Sequence, residues 1–452
     1  MREDMRRAIE GLGVDYADVR LQTRDITTVS YAGHALGEIG CEVKNGGMIR
    51  ALYKGAWGTA VFSSVDDLPT KAREAARLAK LAGRDESRLA PVPAVVDHVV
   101  PKLTVNPADV PLADKVEQIR DYSEYLLGHD KIASTRLTYT DVVTHKYFAS
   151  TDNTFIEQEQ CQVDLWAYAV ARDGNVVQEA RTVIGLADGY GGIEERQDDM
   201  DELACRAKET LTAKPAPGGK MTCVLGPYIT GVFIHEAFGH TDEADHIAGN
   251  PHMEEVMRIG KRFAVPELTA VDDPTMRGAA NWYVYDDEGV RAERVTLVKD
   301  GILAGHMHSR ETAGKMGEQA TGHARAWSYE FKPVVRMSNT YIEGGDWDVD
   351  EMIKSTKQGM YLDINRGGQG GQNFTFAAGE AFLIRDGELA ERVTGANLSG
   401  DVFETLMNID AISRNVKHGY GSCGKGQPAA VTMGGPHIRV NGVTVGGRQD
   451  GR

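Results

Sequence analysis

The sequence predicts an α+β protein: an N-terminal domain mixing helices and strands, then a strand-rich, largely antiparallel C-terminal domain bearing one unusual helix. Three observations carry that expectation. Glycine is abundant, 51 of 452 residues, while aromatics make up 7%, which suits many tight turns around β structure better than a helical bundle. Helical spacing is concentrated in the first half of the chain. Residues 211–220, LTAKPAPGGK, stop a helical pattern with two prolines and two glycines, just before the apolar run MTCVLG. A linker is therefore expected at 212–220, dividing the chain into domains over residues 1–215 and 216–452.

In chain order, a short helix precedes alternating segments at 18–22, 26–31, 36–43, 48–53 and 57–62. Lys44-Asn45-Gly46-Gly47 reads as a hairpin turn, because Asn-Gly takes positive φ readily. Two helices follow, over 66–83, where Ala72, Ala75, Ala76 and Ala79 recur at helical spacing, and over 112–127, where Val116, Ile119, Ser123 and Leu126 do. Segments 155–171 and 175–185 form a hairpin candidate. In the second half, 292–299 and 301–308 flank Lys-Asp-Gly, and 381–385 and 388–393 flank Arg-Asp-Gly; both pairs read as hairpins. The glycine-rich run RGGQGGQNFTF (366–376) lacks the strand–GxxxxGK[ST]–helix setting of a phosphate loop, so its glycines are expected to admit a close backbone or ligand.

Charge narrows the function classes. Fifty basic against 66 acidic side chains leave a net charge of −16, which argues against nucleic-acid binding and against a polybasic membrane anchor. No apolar run approaches the ~20 residues of a membrane-spanning helix. The opening MREDMRRAIEGLGVDYADVR has no apolar centre, so no signal peptide is expected. With five scattered cysteines, Cys41, Cys161, Cys205, Cys223 and Cys423, a cytoplasmic location is the expectation.

Chemistry is concentrated in residues 231–240, GVFIHEAFGH, which contain His235-Glu236-x-x-x-His240. This is one residue longer than the usual zinc-peptidase spacing. On an ideal α-helix, residues five apart lie about 140° apart around the axis, too far to share an ion. Convergence requires a π-type turn or unwinding, with Gly239 as the residue that resists distortion least. A catalytic zinc takes three protein ligands and keeps one position open. The spacing leaves the third ligand open between local residues (Asp242, Glu243, Asp245, His246, His252) and the remote Cys423, set between glycines in HGYGSCGKGQP.

The ordered segments FIHEAFGHTDEAD, VDDPTMRGAANWYVYDDEG, WSYEFKPVVRMSNTYIEGG, GGQNFTFAAGEAFLIRDGEL, VTGANLSGDVFETLMNI and GYGSCGKGQPAAVTMGGPHIRV resemble the TldD/PmbA family, specifically its TldD-type metallopeptidases. The likeness spans about 225–445 and is less specific in the N-terminal half, where it rests on MIRALYKGAWGTAVFS. It implies a zinc-dependent peptidase acting on peptides or unfolded chain segments, with His235, His240 and Cys423 as metal ligands and Glu236 as general base. It also implies a dimer, either of this chain with itself or with a PmbA-type subunit. After His240 the sequence TDEADHIAGN departs from the family's more glycine-rich acidic segment.

In that chemistry Glu236 takes a proton from the attacking water and delivers it to the leaving amine. His306, His308 and His323 are weak candidates for stabilising the oxyanion. A strand-rich domain is expected to hold extended substrate as an added strand, with the glycines of 367–371 beside the edge. Two rival readings stand beside this one. The first is a non-catalytic peptide-binding or regulatory module; the second is a thiol hydrolase with Cys423 as nucleophile and His418 as base.

Overall fold

Residues 1–84, 86–371 and 373–447 are described by a computed structural model of the chain. Helix α1 (Arg2–Ile9) leads into β1 (Tyr16–Ala32), β2 (Ala35–Tyr53) and β3 (Ala56–Phe62), followed by α2 (Leu68–Ala82), β4 (Val96–Val99) and α3 (Leu112–Leu127). Three long strands, β5 (Ile132–Ser150), β6 (Phe155–Asp173) and β7 (Val176–Leu186), and helix α4 (Gln197–Thr210) complete the first half. The strands make one sheet in the order β3-β2-β1-β5-β6-β4, with β7 also paired to β6.

Period-two alternation explains how this sheet is used on both faces. On β1 the residues Ala17, Val19 and Leu21 join the apolar core beneath α1 and α2. Between them, Asp18, Arg20, Gln22 and Arg24 are also buried, on the opposite face. That face meets the second half of the chain through ions. Arg20 donates to the Phe331 carbonyl at 2.7 Å and lies 3.3 Å from Asp287, while Arg50 on β2 pairs with Asp18 at 2.6 Å and Glu288 at 2.9 Å. Buried guanidinium groups are tolerated there because carboxylates pair with their charge and carbonyls accept their hydrogen bonds.

The turn expected at Lys44–Gly47 does not form. β2 runs through it in unbroken antiparallel register, with Thr23 opposite Asn45 and Leu21 opposite Gly47, and the reversal falls at Gly33 (φ 61°) instead. Both glycines are required by packing: a Cβ on Gly46 would lie 2.4 Å from the Tyr329 ring, and one on Gly47 2.4 Å from the Phe62 ring. The helix expected over 66–83 is observed as α2, and its alanines let β3 approach so closely that a Cβ on Gly58 would meet the Ala75 carbonyl at 2.1 Å.

The second half opens with β8 (Lys214–Pro215), β9 (Gly219–Leu225) and α5 (Pro227–Ile234). Short strands follow: β10 (Ala270–Asp272), β11 (Val295–Lys299), β12 (Ile302–Leu303), β13 (Ala324–Arg325), β14 (Val334–Val335) and β15 (Asn339–Ile342). Then come β16 (Gln358–Gln369), β17 (Asn373–Arg385), β18 (Glu388–Thr394), β19 (Asn397–Asp401) and β20 (Ile409–Ile412). Last are β21 (Lys417–Gly424), β22 (Pro428–Gly435) and β23 (Ile438–Gly446). One sheet has the order β12-β11-β10-β15-β22-β21. A second, with β20 also paired to β23, runs β16-β9-β23-β19-β17-β18-β8; β16 also pairs with β17, so five of its strands close into a ring and lose their open edges, while β13 and β14 pair by themselves.

Both glycine-containing hairpins form, but the Lys-Asp-Gly one is shorter than expected, since β12 ends at Leu303 and residues 304–308 leave the ladder. The glycine-rich run is not a loop beside an open edge. It is part of the β16–β17 hairpin, with Gly367 and Gly371 at φ 133° and 140°. Apolar on every side, α5 buries Ile229, Val232, Phe233 and Ile234 in the core. It crosses β22 so closely that a Cβ on Gly231 would meet the Gly434 nitrogen at 2.5 Å.

Candidate metal centre

Helix α5 begins at Gly226, which has no capping side chain; Asp363 from β16 accepts the Tyr228 and Ile229 amides at 3.0 and 3.3 Å instead. A carboxylate at that position satisfies the orphan donors and suits the positive end of the helix. Burial pushes its pKa up to about 6, even against three backbone hydrogen bonds.

The helix then changes pitch where the 140° problem demands it. Residues His235–Gly239 form a single π turn, closed by the His240 amide donating to the His235 carbonyl. Residues five apart thereby become neighbours across one turn. Gly239 keeps helical φ and ψ of −57° and −48°, so its backbone freedom is not what permits the turn. The residue is needed for space: a Cβ there would lie 2.1 Å from the Met337 sulfur.

The π turn brings His235 and His240 together, and β21 brings Cys423 to them. The two rings stand edge to face with centroids 5.0 Å apart, and Cys423 Sγ is 3.1 Å from His240 Nε2. One donor atom from each of the three residues lies within 4.8 Å of the others. A tetrahedral ion with bonds of about 2.0–2.3 Å would separate its ligands by roughly 3.3–3.8 Å, so small side-chain movements suffice. His235 is 1% exposed, and neither of its ring nitrogens has a hydrogen-bond partner. An imidazole so buried and unpartnered costs free energy unless something else takes its lone pair. Two imidazoles and a thiol are a donor set that fits a zinc ion.

Burial would raise the Cys423 thiol, but the neighbouring His235 and His240 rings outweigh it and bring its pKa down to about 6. His235 acts on the thiol through proximity, since it makes no hydrogen bond of normal geometry. Burial would lower His240, but Cys423 and Glu243 raise its pKa to about 10. Thiolate and carboxylate thus both face this one ring.

Glu243 is fully buried and accepts from His240 Nδ1 at 3.0 Å, while Lys425 Nζ lies 3.0 Å from the same carboxylate oxygen. Burial works against its charge, yet His240 and Lys425 hold its pKa below the usual carboxylate value. This fixes the ring so that Nε2 faces Cys423. Glu243, a candidate ligand by sequence, instead orients the His240 ring. Its spacing of three residues from His240 is a local signal for that role. Arg336, 1% exposed, has none: it donates to the Cys423 and Gln427 carbonyls at 3.0 and 2.8 Å and clamps the turn that carries the thiol. Replacing Glu243 with glutamine is expected to weaken metal affinity about 10–100-fold with the fold retained, as read by competition with a chelator. Unchanged affinity would remove Glu243 from the site.

The remaining local candidates are engaged elsewhere or exposed. Asp242 accepts from His306 at 2.7 Å, Asp245 pairs with Lys425, and His246 and His252 lie at the surface. His308 bonds Thr312 and Glu318, and His323 bonds Asp272, so the three oxyanion candidates, with His306, are all tied into buried networks. His418 does not serve Cys423. Both lie on β21, whose rise of about 3.3 Å per residue puts them roughly 16 Å apart, and an odd spacing of five residues puts them on opposite faces.

His235 and Glu236 open onto a cavity of about 720 Å³ between the two halves of the chain. Its walls include residues 181–186 of β7 and 418–422 of β21. Glu236 Oε2 is 3.9 Å from His240 Nε2, which puts the carboxylate beside the converging donors. Behind it sits the tip of the β16–β17 hairpin, where a Cβ on Gly370 would meet the Glu236 carbonyl at 2.2 Å. The glycine-rich run therefore admits a backbone, that of the glutamate itself.

Comparisons with known proteins agree with this architecture. Family models for the three parts of the PmbA/TldA metallopeptidases match residues 17–83 (domain 1), 105–214 (central domain) and 218–447 (C-terminal domain). A Synechocystis protein named as a metalloprotease is 39% identical over 439 residues, covering 96% of this chain and 95% of its own. A Saccharolobus solfataricus protein named "Zinc metalloprotease TldD homolog" is 29% identical, covering 97% and 98%. The crystal structure of TldE from Thermococcus kodakarensis shares the fold, with a TM-score of 0.82 at 18% identity over 98% of this chain and 99% of that one. With near-complete coverage by relatives well above 30% identity, the chain belongs to the PmbA/TldD family of metallopeptidases.

Proposed function

We propose that the protein is a zinc-dependent peptidase that hydrolyses peptides and unfolded chain segments, with His235, His240 and Cys423 as metal ligands and Glu236 as general base. The observation that carries this reading is the convergence of three donor atoms within 4.8 Å, beside Glu236 and at the wall of a large cavity. The names of the relatives support it: several are metalloproteases, and one is a zinc metalloprotease. When bound, the ion polarises the scissile carbonyl and acidifies a water. His240 must be neutral to act as a ligand, and its contact with Glu243 favours the tautomer that leaves Nε2 free. Glu236 accepts the proton of the attacking water and returns it to the departing amine, which cannot leave as an anion.

Recognition by strand addition fits the edges that flank the cavity. Among the described residues, β21 pairs only with β22, and β7 pairs with β6 apart from one bridge from its last residue, Leu186, to Ala279. An extended peptide added along such an edge would satisfy its main chain without regard to side chains. Folded proteins should then resist, because freeing a strand costs a sizeable part of their ~5–15 kcal/mol stability. The decisive experiment incubates chelator-stripped and zinc-restored protein with a stable domain and a destabilised version of it. Expected is zinc-dependent cleavage confined to the destabilised form. Cleavage without metal would defeat the zinc assignment, and equal cleavage of both forms would defeat strand addition.

Two further parts of the reading are the cytoplasmic location and a dimer, either of two copies or with a PmbA-type subunit, that encloses the cavity. For the location, the supporting facts are the scattered cysteines and that no helix among the described residues is long and apolar enough to cross a membrane. Light scattering at micromolar concentration should give twice the 49.2 kDa chain mass for a homodimer. A monomer with full activity would overturn it.

A further inference from the structure

The cavity continues into a smaller chamber of about 180 Å³, and the two share Arg181, Arg206 and Ile364 in their walls. Arg366 lines the chamber as well, so three arginines line it against one acidic residue, the exposed Glu179. In a chain with a net charge of −16 this is an unusual concentration of positive charge. It is also poorly neutralised from within. Arg206 is 8% exposed, and its Nε is buried with no hydrogen-bond partner. Its other nitrogens reach the Arg181 carbonyl at 3.1 Å and Glu202 at 3.7 Å. Arg181 donates to the Asn365 carbonyl at 2.7 Å and Arg366 to the Glu179 carbonyl at 3.3 Å. Each guanidinium carries five donors, so most remain free for a ligand.

The wall between chamber and cavity is itself under constraint. Ile364 has φ 54°, a conformation that β-branched residues avoid. It sits just before the irregularity in β16 at which Arg366 departs from the pairing with β17.

We propose that this chamber is an anion subsite that takes a carboxylate of the peptide substrate. Planar guanidinium groups match a carboxylate in geometry as well as charge. Two sources share that chemistry, the C-terminus of a peptide and an Asp or Glu side chain. The place on the substrate follows from β16. From Arg366 the chain reaches Gly370, against the Glu236 backbone, in four residues, at most about 13 Å. The carboxylate is therefore held roughly four extended residues from the bond that is cut. The inference rests on the peptidase reading for the identity of the ligand, but binding can be measured apart from catalysis.

The test uses unstructured decapeptides, otherwise neutral, with a free or amidated C-terminus and with a single Glu or Gln at successive internal positions. Binding is read by fluorescence anisotropy on the full chain carrying Glu236→Gln, and cleavage sites by mass spectrometry on the unaltered protein. Carboxylate peptides should bind about tenfold more tightly than their neutral counterparts at low salt. Cuts should fall roughly four residues from the charge. Arg366→Gln should erase the difference while leaving binding of the neutral peptides unchanged, and Arg181→Gln, which also alters the main cavity, should erase the difference too. Loss of affinity on amidation alone assigns the C-terminus, and on Glu-to-Gln exchange alone the side chain; either supports the subsite. Equal binding of charged and neutral peptides, or a preference that survives both arginine substitutions, would overturn it. Cleavage without charge preference would sink the subsite and spare the peptidase; charge-selective binding without cleavage of any peptide would do the reverse.

Discussion

Glu236→Gln is expected to retain one zinc per chain and to lose peptide hydrolysis by about 10³-fold or more. The amide is nearly the same size, and the Glu236 carboxylate stands 3.9 Å from His240 Nε2, beyond hydrogen-bond distance. Metal content should therefore stand. What disappears is the carboxylate at the cavity wall that the proposed mechanism uses to take a proton. A general base contributes typically ~10²–10⁴-fold, and the upper part of that range is expected because in the proposed mechanism the same group also protonates the leaving amine. Metal analysis with single-turnover hydrolysis of an unstructured peptide checks both halves. Activity within tenfold of the parent protein would remove Glu236 from the mechanism, and loss of zinc would mean that it helps to hold the ion.

Cys423→Ser is expected to lower zinc affinity by more than 100-fold, beyond the effect of an altered outer partner. Cys423 has a pKa of about 6 beside two imidazoles, so at neutral pH it is a thiolate, whereas a serine hydroxyl stays protonated and binds the ion weakly. Hydrolysis should fall with the metal and recover in part when zinc is added in excess. That recovery separates the two roles open to this cysteine. A nucleophilic thiol replaced by serine would leave an enzyme inactive however much zinc is supplied. His240→Ala should behave like Cys423→Ser and lose metal and activity together.

Much of the site was legible because its parts are local. His235, Glu236 and His240 lie within six residues, and the geometry of an α-helix alone predicts that this spacing needs an irregular turn. The π turn at His235–Gly239 is that irregularity. The role of Gly239 was misread for an instructive reason. Its backbone is ordinary, and only the arrival of Met337, 98 positions along the chain, explains why no side chain is tolerated. The same holds for Gly46 and Gly47. An Asn-Gly pair is a strong turn signal locally, but the strand continues through it because Tyr329 and Phe62 fill the space where side chains would be. In each case one residue type answers two different demands, positive φ and close approach, and only the second depends on residues remote in the chain.

The sequence by itself determined the mixed fold class, the order of its longer helices and hairpins, and the motif with its required irregularity, because these follow from short-range periodicity and turn chemistry. The family motifs also pointed to Cys423, which composition and spacing left level with the local acids. Tertiary structure alone decided that Cys423 reaches His240, since that depends on how β21 docks against α5. It also decided that Glu243 orients His240, that Asp363 caps α5 from another strand, and that Arg181, Arg206 and Arg366 gather in one chamber. Local rules set the conformation of each segment. Which side chains from distant segments meet is set by the packing of whole sheets and helices, where burial and the pairing of buried charge are satisfied together.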